Sequence, residues 1–214
     1  LSIKKFDLYI SIKQVDKAMN EIAKARKIFP NDPQLIATLV DYYFANNQID
    51  KAVVMLQELV IADPENGRAH LALADVYRQN GESDKAYFEL NLAFKSSDLD
   101  VDTKMKILTN ILESSFKIDP EVYELIDLFV TSNPNDAKAH SIKGDYLLRA
   151  EKEDEALKSY QKALEFDNSK YPIWNQVLIM EYQAGNFEDL YRDSKECLTL
   201  FPSVSTVYLL HGVS

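Results

Sequence analysis

The chain has 214 residues, 46% hydrophobic and 27% charged, with 24 basic against 34 acidic side chains and a formal net charge of −10. Five glycines leave little room for tight β-hairpins or phosphate-cradling loops, and the acidic balance, with no Lys/Arg cluster to offset it, disfavours nucleic acid as a partner. No apolar run approaches the roughly 20 residues of a membrane span, and the lone cysteine, Cys197, excludes a disulfide within the chain.

Taken in order, the elements repeat. Residues 1–32 read as a helix, a short turn and a second helix, with Tyr9, Ala18, Ile22 and Pro30 as landmarks. Residues 33–66 carry Tyr43, Ala52, Leu56 and Pro64 at a spacing of 34 from those four. Residues 67–100 continue the columns with Tyr77, Ala86 and Leu90. Residues 101–136 form a longer repeat of 36, carrying a two-residue insertion and a different core in Ile107, Leu108 and Val122. Residues 137–170 resume the pattern, Ala156 lying 70 residues after Ala86. Residues 171–204 form a sixth repeat, and Pro202 lies 68 residues after Pro134. The tail, 205–214, starts a seventh repeat and stops within its first helix.

Within each repeat the apolar residues fall at helical spacing: Leu73, Ala74 and Tyr77 on the first helix of the third repeat, Ala86, Leu90 and Ala93 on the second. Gly81 and Gly185 mark the turn between helices, where a left-handed residue is wanted. Asp16, Asp50, Asp84 and Asp154 precede the second-helix alanine by two residues, where they cap or sit in the first turn. Six prolines fall at repeat boundaries, and the seventh, Pro120, opens the second helix of the fourth repeat. The small residue at Ala86 predicts a close helix crossing, answered on the first helix by Val40, Ala74 and Gly144. A bulkier side chain there should overpack it by roughly 1–3 kcal/mol.

This 34-residue helix–turn–helix order resembles the tetratricopeptide repeat (TPR) family. The resemblance rests on Trp174 and Gly185 in the sixth repeat, on Gly144, Ala156, Tyr160 and Ala163 in the fifth, and on Leu73, Ala74, Tyr77, Ala86 and Ala93 in the third. It covers nearly the whole chain. The fourth repeat departs in type and length, and the sixth has Leu190 and Ser194 where alanine and a large residue are usual. A change of curvature is expected near residues 112–120. The resemblance implies an all-α fold, a right-handed superhelical α-solenoid of about six repeats plus a truncated seventh, forming one domain over residues 1–214. It also implies a concave groove lined by first helices that holds a peptide or helical segment of another protein.

Rows of first-helix residues pointing away from the core define that groove. Asp7, Asp41, Asp75 and Asp145 form an acidic row, interrupted by Thr109 and ended by Ile179. One turn on lie Phe44, Arg78, Leu148 and Tyr182, followed by Ala45, Gln79, Arg149 and Gln183. One turn before lie Ala37, Leu71, Met105, Ser141 and Asn175. The partner-binding set is therefore Asp41, Phe44, Asp75, Arg78, Asp145, Arg149, Asn175 and Tyr182, suited to a protein or peptide with basic and apolar side chains. A family subgroup grips C-terminal carboxylates with groove lysines and asparagines; aspartate in this row disfavours that mode. The bland alternative is that each aspartate pairs locally and merely solvates its helix.

Nothing in the sequence points to catalysis. No HExxH, CxxC, GxxxxGK[ST], GxGxxG or GxSxG occurs, so no enzyme activity, metal or cofactor is expected. His70 and His140 share a column with Trp174 and read as packing residues. Cys197 shares one with Ala25, Ala93 and Ala163 and reads as an inert buried thiol. The run EKEDE, Glu151 to Glu155, reads as solvated turn charge, and Tyr42 and Tyr182 as groove or rim aromatics. An alternative is that this is the scaffold or regulatory portion of a longer enzyme or receptor. A third reading is self-association through the apolar tail Val207–Val213. The composition resembles that of bacterial TPR proteins, including those of the cell envelope.

Overall fold

The computed structural model describes residues 1–114 and 118–214 and contains thirteen α-helices and no strand among them. They are α1 Ser2–Ser11, α2 Val15–Ile28, α3 Pro33–Ala45, α4 Ile49–Ala62, α5 Gly67–Gln79, α6 Ser83–Lys95, α7 Val101–Ser114, α8 Pro120–Ser132, α9 Ala137–Arg149, α10 Glu153–Phe166, α11 Tyr171–Ala184, α12 Phe187–Leu200 and α13 Ser205–Val213. The fold is an all-α helical-repeat solenoid in which successive helices pack on one another within α1–α6 and within α7–α13.

The helices group into two compact bodies, Leu1–Leu99 with α1–α6 and Asp100–Ser214 with α7–α13. In the N-terminal body one core joins α1, α2 and α3 through Phe6, Ala18, Ile22, Leu35 and Leu39. A second joins α3, α4 and α5 through Ile36, Val40, Leu56, Leu59, Ala69 and Leu73. In the C-terminal body, Leu147, Ala156, Tyr160, Ala163, Val177 and Met180 join α9, α10 and α11. Trp174, Leu178, Leu190, Cys197, Val207 and Leu210 join α11, α12 and α13. In these four cores a hairpin completes its burial against the first helix of the next, which is why one hairpin alone would be unstable.

The second-helix alanines Ala18, Ala52, Ala86 and Ala156 are all buried, as are Val122 and Leu190 at the same place. Gly144 was expected to answer the small Ala156. Instead its open side is filled by the Tyr160 ring, one turn further along α10, so that even a methyl there would stand 2.6 Å from Tyr160 Cε1.

The five described hairpin turns share one geometry. Lys13, Asn47, Gly81, Glu151 and Gly185 all have positive φ, between 54° and 77°. In each, the next residue donates its N–H to the carbonyl five residues back, as Glu82 does to Tyr77 at 2.9 Å and Lys152 to Leu147 at 2.9 Å. This is a Schellman closure, and it satisfies the last carbonyls of the first helix. The second helices therefore start from a main-chain turn: α2, α4, α6 and α10 have no side-chain cap, and Asp16, Asp50, Asp84 and Asp154 lie in their first turns, favoured by the helix dipole. Several first helices are capped by side chains instead, by Asp32 on α3, Asn66 on α5 and Asp136 on α9.

In the fourth repeat Val122 lies 34 residues before Ala156, so the two extra residues fall between α7 and α8. Residues 115–117 of that connection, where the curvature change was expected, lie outside the described residues.

Candidate interaction face

The face is built by the first helices. On α3, Leu35, Ile36, Leu39 and Val40 are buried, while Gln34, Asp41 and Ala45 are exposed and Ala37, Thr38 and Phe44 half-buried. The same positions on α1 and α5 give Ile3, Asp7 and Ile10, and Leu71, Asp75 and Arg78. In the N-terminal body three exposed aspartates, Asp7, Asp41 and Asp75, therefore run between half-buried apolar positions: Ile3, Ala37 and Leu71 on one side, Ile10 and Phe44 on the other.

The charges in that row are not equivalent. Arg78 donates to Asp75 at 3.2 Å, an exposed pair three residues apart on one helix, worth little by itself. Among the described residues no ion pair engages Asp7 or Asp41, and α3 carries no Lys or Arg. An open pocket of about 900 Å³ lies at the N-terminal end of the α3 row, bordered by Ile28, Phe29, Pro30, Ala37 and Asp63. Its lining charges, Asp32 and Asp63, are both carboxylates.

In the C-terminal body the corresponding rows differ. Asp102 on α7 and Lys138 on α9 form an ion pair between equivalent positions of neighbouring first helices. Asp145 is half-buried and accepts a hydrogen bond from the Tyr160 hydroxyl at 2.7 Å. Burial raises its pKa, the bond from Tyr160 acting in the opposite direction. Asp145 thus faces the second helix where Gly144 leaves room for Tyr160, and is less open than Asp41. Asn175 accepts from the Tyr171 hydroxyl at 3.1 Å. Tyr182 is exposed and sits edge-on to Phe187, with ring centroids 6.5 Å apart. Arg149 is exposed at the end of α9. Tyr42 is half-buried and packs edge-on against Phe6 and Tyr43 at 5.8 and 5.6 Å, tying α1 to α3.

The histidine column has a uniform structural task. Nε2 of His70 lies 3.1 Å from the Pro64 carbonyl, Nε2 of His140 2.8 Å from that of Pro134, and Trp174 Nε1 donates to that of Asn168 at 2.8 Å. The Tyr208 hydroxyl donates to the Pro202 carbonyl at 3.1 Å. Each ring ties its helix to the carbonyl six residues back in the preceding connection. A carbonyl only accepts, so the histidine nitrogen there carries the proton. His70 also places Nδ1 2.6 Å from Glu89 on α6.

Cys197 is fully buried, and burial pushes its thiol up to about 11, away from thiolate chemistry. Glu151 to Glu155 are all exposed. Sequence reasoning missed Glu181, which is fully buried on α11, because glutamate in a helix ordinarily reads as surface.

Tetratricopeptide repeat models match residues 43–100 and 124–171. Among solved structures, the crystal structure of MamA protein aligns at 15% identity over 79% of this chain and 92% of that one, with a TM-score of 0.52. YrrB, described as a TPR protein with an unusual peptide-binding site, aligns at 16% identity over 88% of this chain and 95% of that one, with a TM-score of 0.52. The C-terminal part of a TPR repeat-containing protein from Cytophaga hutchinsonii aligns at 12% identity over 94% of this chain and 79% of that one, with a TM-score of 0.56. At these identities the likeness is one of fold. No curated protein matches the sequence.

Proposed function

We propose that this chain, a tetratricopeptide repeat protein, is a non-enzymatic interaction scaffold whose first-helix face holds a peptide or helical segment of a partner. The strip formed by α1, α3 and α5 is the principal contact, and the segment it takes carries basic and apolar side chains. The observation that carries this reading is the pair Asp7 and Asp41: exposed carboxylates at equivalent positions of successive first helices, without an ion-pair partner among the described residues. Solvated charge rows are ordinarily laced with opposite charge. Here α3 supplies none, and half-buried apolar side chains flank the row. In the C-terminal body, Asn175, Tyr182 and Arg149 are the contact candidates, with Asp145 contributing less because Tyr160 already engages it.

Selection of this protein against a displayed library of random peptides tests the reading. Recovered peptides should be enriched in Lys or Arg next to apolar residues, and binding should weaken with added salt. The double variant Asp41→Lys, Asp75→Lys should lose them. Recovery of acidic peptides, or undiminished binding by the double variant, would exclude the acidic strip. YrrB is a TPR protein with an unusual peptide-binding site, which supports peptide recognition as the kind of activity to look for.

A further inference from the structure

One column of the first helices, just before the hairpin turn, holds Tyr9, Tyr43, Tyr77 and Leu147, and ends on Glu181. In the N-terminal body Gln57 on α4 donates to the Tyr77 hydroxyl at 3.2 Å. At the same repeat position Gln161 on α10 donates to Glu181 Oε1, also at 3.2 Å. A carboxyl group therefore occupies a place filled in the other repeats by a phenol, an isoleucine or a leucine. It is fully buried, and its Oε2 has no hydrogen-bond partner among the described residues. No ion pair reaches it among those residues. Arg192 on α12 is engaged by Asp189 at 2.7 Å and Asp193 at 2.8 Å.

We propose that Glu181 is a proton-operated catch in the α11–α12 hairpin. Protonated, it is a neutral stand-in for the tyrosine of the first three repeats and lets α11 seat against α10 and α12. Ionised, it is a buried carboxylate confronting Asp193, and the hairpin loosens. Burial and the carboxylates of α12 favour the neutral form, while the bond donated by Gln161 acts the other way. From α10 comes Gln161, a neutral donor, while Glu165 on the same helix is paired with Lys162. From α12 come Asp189, Asp193 and the already shared Arg192. On α13, His211 is taken up by Ser194 at 2.9 Å and stacks on Tyr191, and the Tyr208 hydroxyl is bonded to the Pro202 carbonyl. Burial first, then the neighbouring Asp193, push the Glu181 carboxyl from its ordinary 4.5 up to about 8. Tyr182, the next residue, lies on the candidate interaction face, so the catch acts directly beneath it.

The sign follows from linkage. Between about 4.5 and 8 the folded hairpin holds a proton that the opened chain releases, so its stability falls as pH rises through that window and levels off above it. Backbone hydrogen exchange of α11 and α12, corrected for intrinsic rates, reads this in the wild type and in Glu181→Gln. The ratio of their opening constants should climb with pH across the window, by up to about tenfold per unit, and be flat above about 8. Glu181→Tyr, which restores the occupant of the equivalent sites, should behave like Glu181→Gln. Carbon-13 titration of the Glu181 side chain in the unaltered protein should give a midpoint near 8. A pH-independent ratio, or a midpoint in the ordinary carboxylate range, would overturn the proposal.

Discussion

Gly144 on α9 and Tyr160 on α10 occupy one shared space: an added methyl at residue 144 would meet the Tyr160 ring at 2.6, 2.8 and 2.9 Å. Tyr160 is buried and bonded to Asp145, so swinging aside would break that bond and disturb the core. Gly144→Ala should therefore destabilise the protein by about 1–3 kcal/mol, although alanine is intrinsically the better helix former by about 1 kcal/mol. The pair Ala74 and Leu90 occupies the same two positions, so Gly144→Ala with Tyr160→Leu should recover part of the loss. Urea unfolding of the two single variants and the double variant, read as a cycle, measures the coupling; additive effects would refute the shared space.

The turn column offers a change of the opposite sign. Lys13 and Glu151 hold a left-handed backbone at φ 59° without being glycine. Glu151→Gly should stabilise the α9–α10 hairpin by roughly 0.5–1 kcal/mol, visible as a higher urea midpoint at unchanged slope. Gly81→Ala should cost a similar amount: no atom lies within 4 Å to be struck, so the penalty is purely one of backbone conformation.

The ring-to-carbonyl tie can be tested at His140, which stacks on Phe166 at 5.5 Å while holding the Pro134 carbonyl. His140→Phe keeps an aromatic ring and removes the donor, and should cost about 0.5–1.5 kcal/mol in thermal or denaturant unfolding. His140→Trp, which supplies the indole N–H used at Trp174, should cost less than His140→Phe. The reverse order would show that the carbonyl is indifferent to its partner.

Cys197 reports on the α11–α12–α13 core. Its burial and raised thiol pKa predict negligible reaction with a disulfide reagent at pH 7–8 in the folded protein and rapid reaction in denaturant. Reaction in native buffer should proceed only at the rate of local opening, so a fast native reaction would contradict the packing of α12.

The architecture was readable because its causes are steric and recur. Close crossings demand small residues at Ala18, Ala52, Ala86 and Ala156, and these set the period without reference to coordinates. The turn geometry was readable only at Gly81 and Gly185; Lys13, Asn47 and Glu151 adopt it under the pull of two main-chain hydrogen bonds that leave no trace in side-chain type. The ring ties were hidden for a related reason, their acceptors being carbonyls. Along the acidic row the spacing turns Asp41 and Asp75 away from the core, and both are exposed. It could not reveal that Asp145 is drawn toward Tyr160, which depends on the size of its neighbour Gly144. Glu181 was illegible because its burial is imposed by three surrounding helices.

Helix α3 contributes to two cores at once, Leu35 and Leu39 to one and Ile36 and Val40 to the other, and α11 does the same in the C-terminal body. Such double membership makes these two helices the main couplers of their bodies: a disturbance in α4 reaches the α1–α2 layer chiefly through α3, beside the direct α2–α4 contact of Arg26 with Glu58 and Met55. Partner contact along α3 would then brace two layers in a single event, and fraying should spread inward from the outermost layers before either coupler gives way.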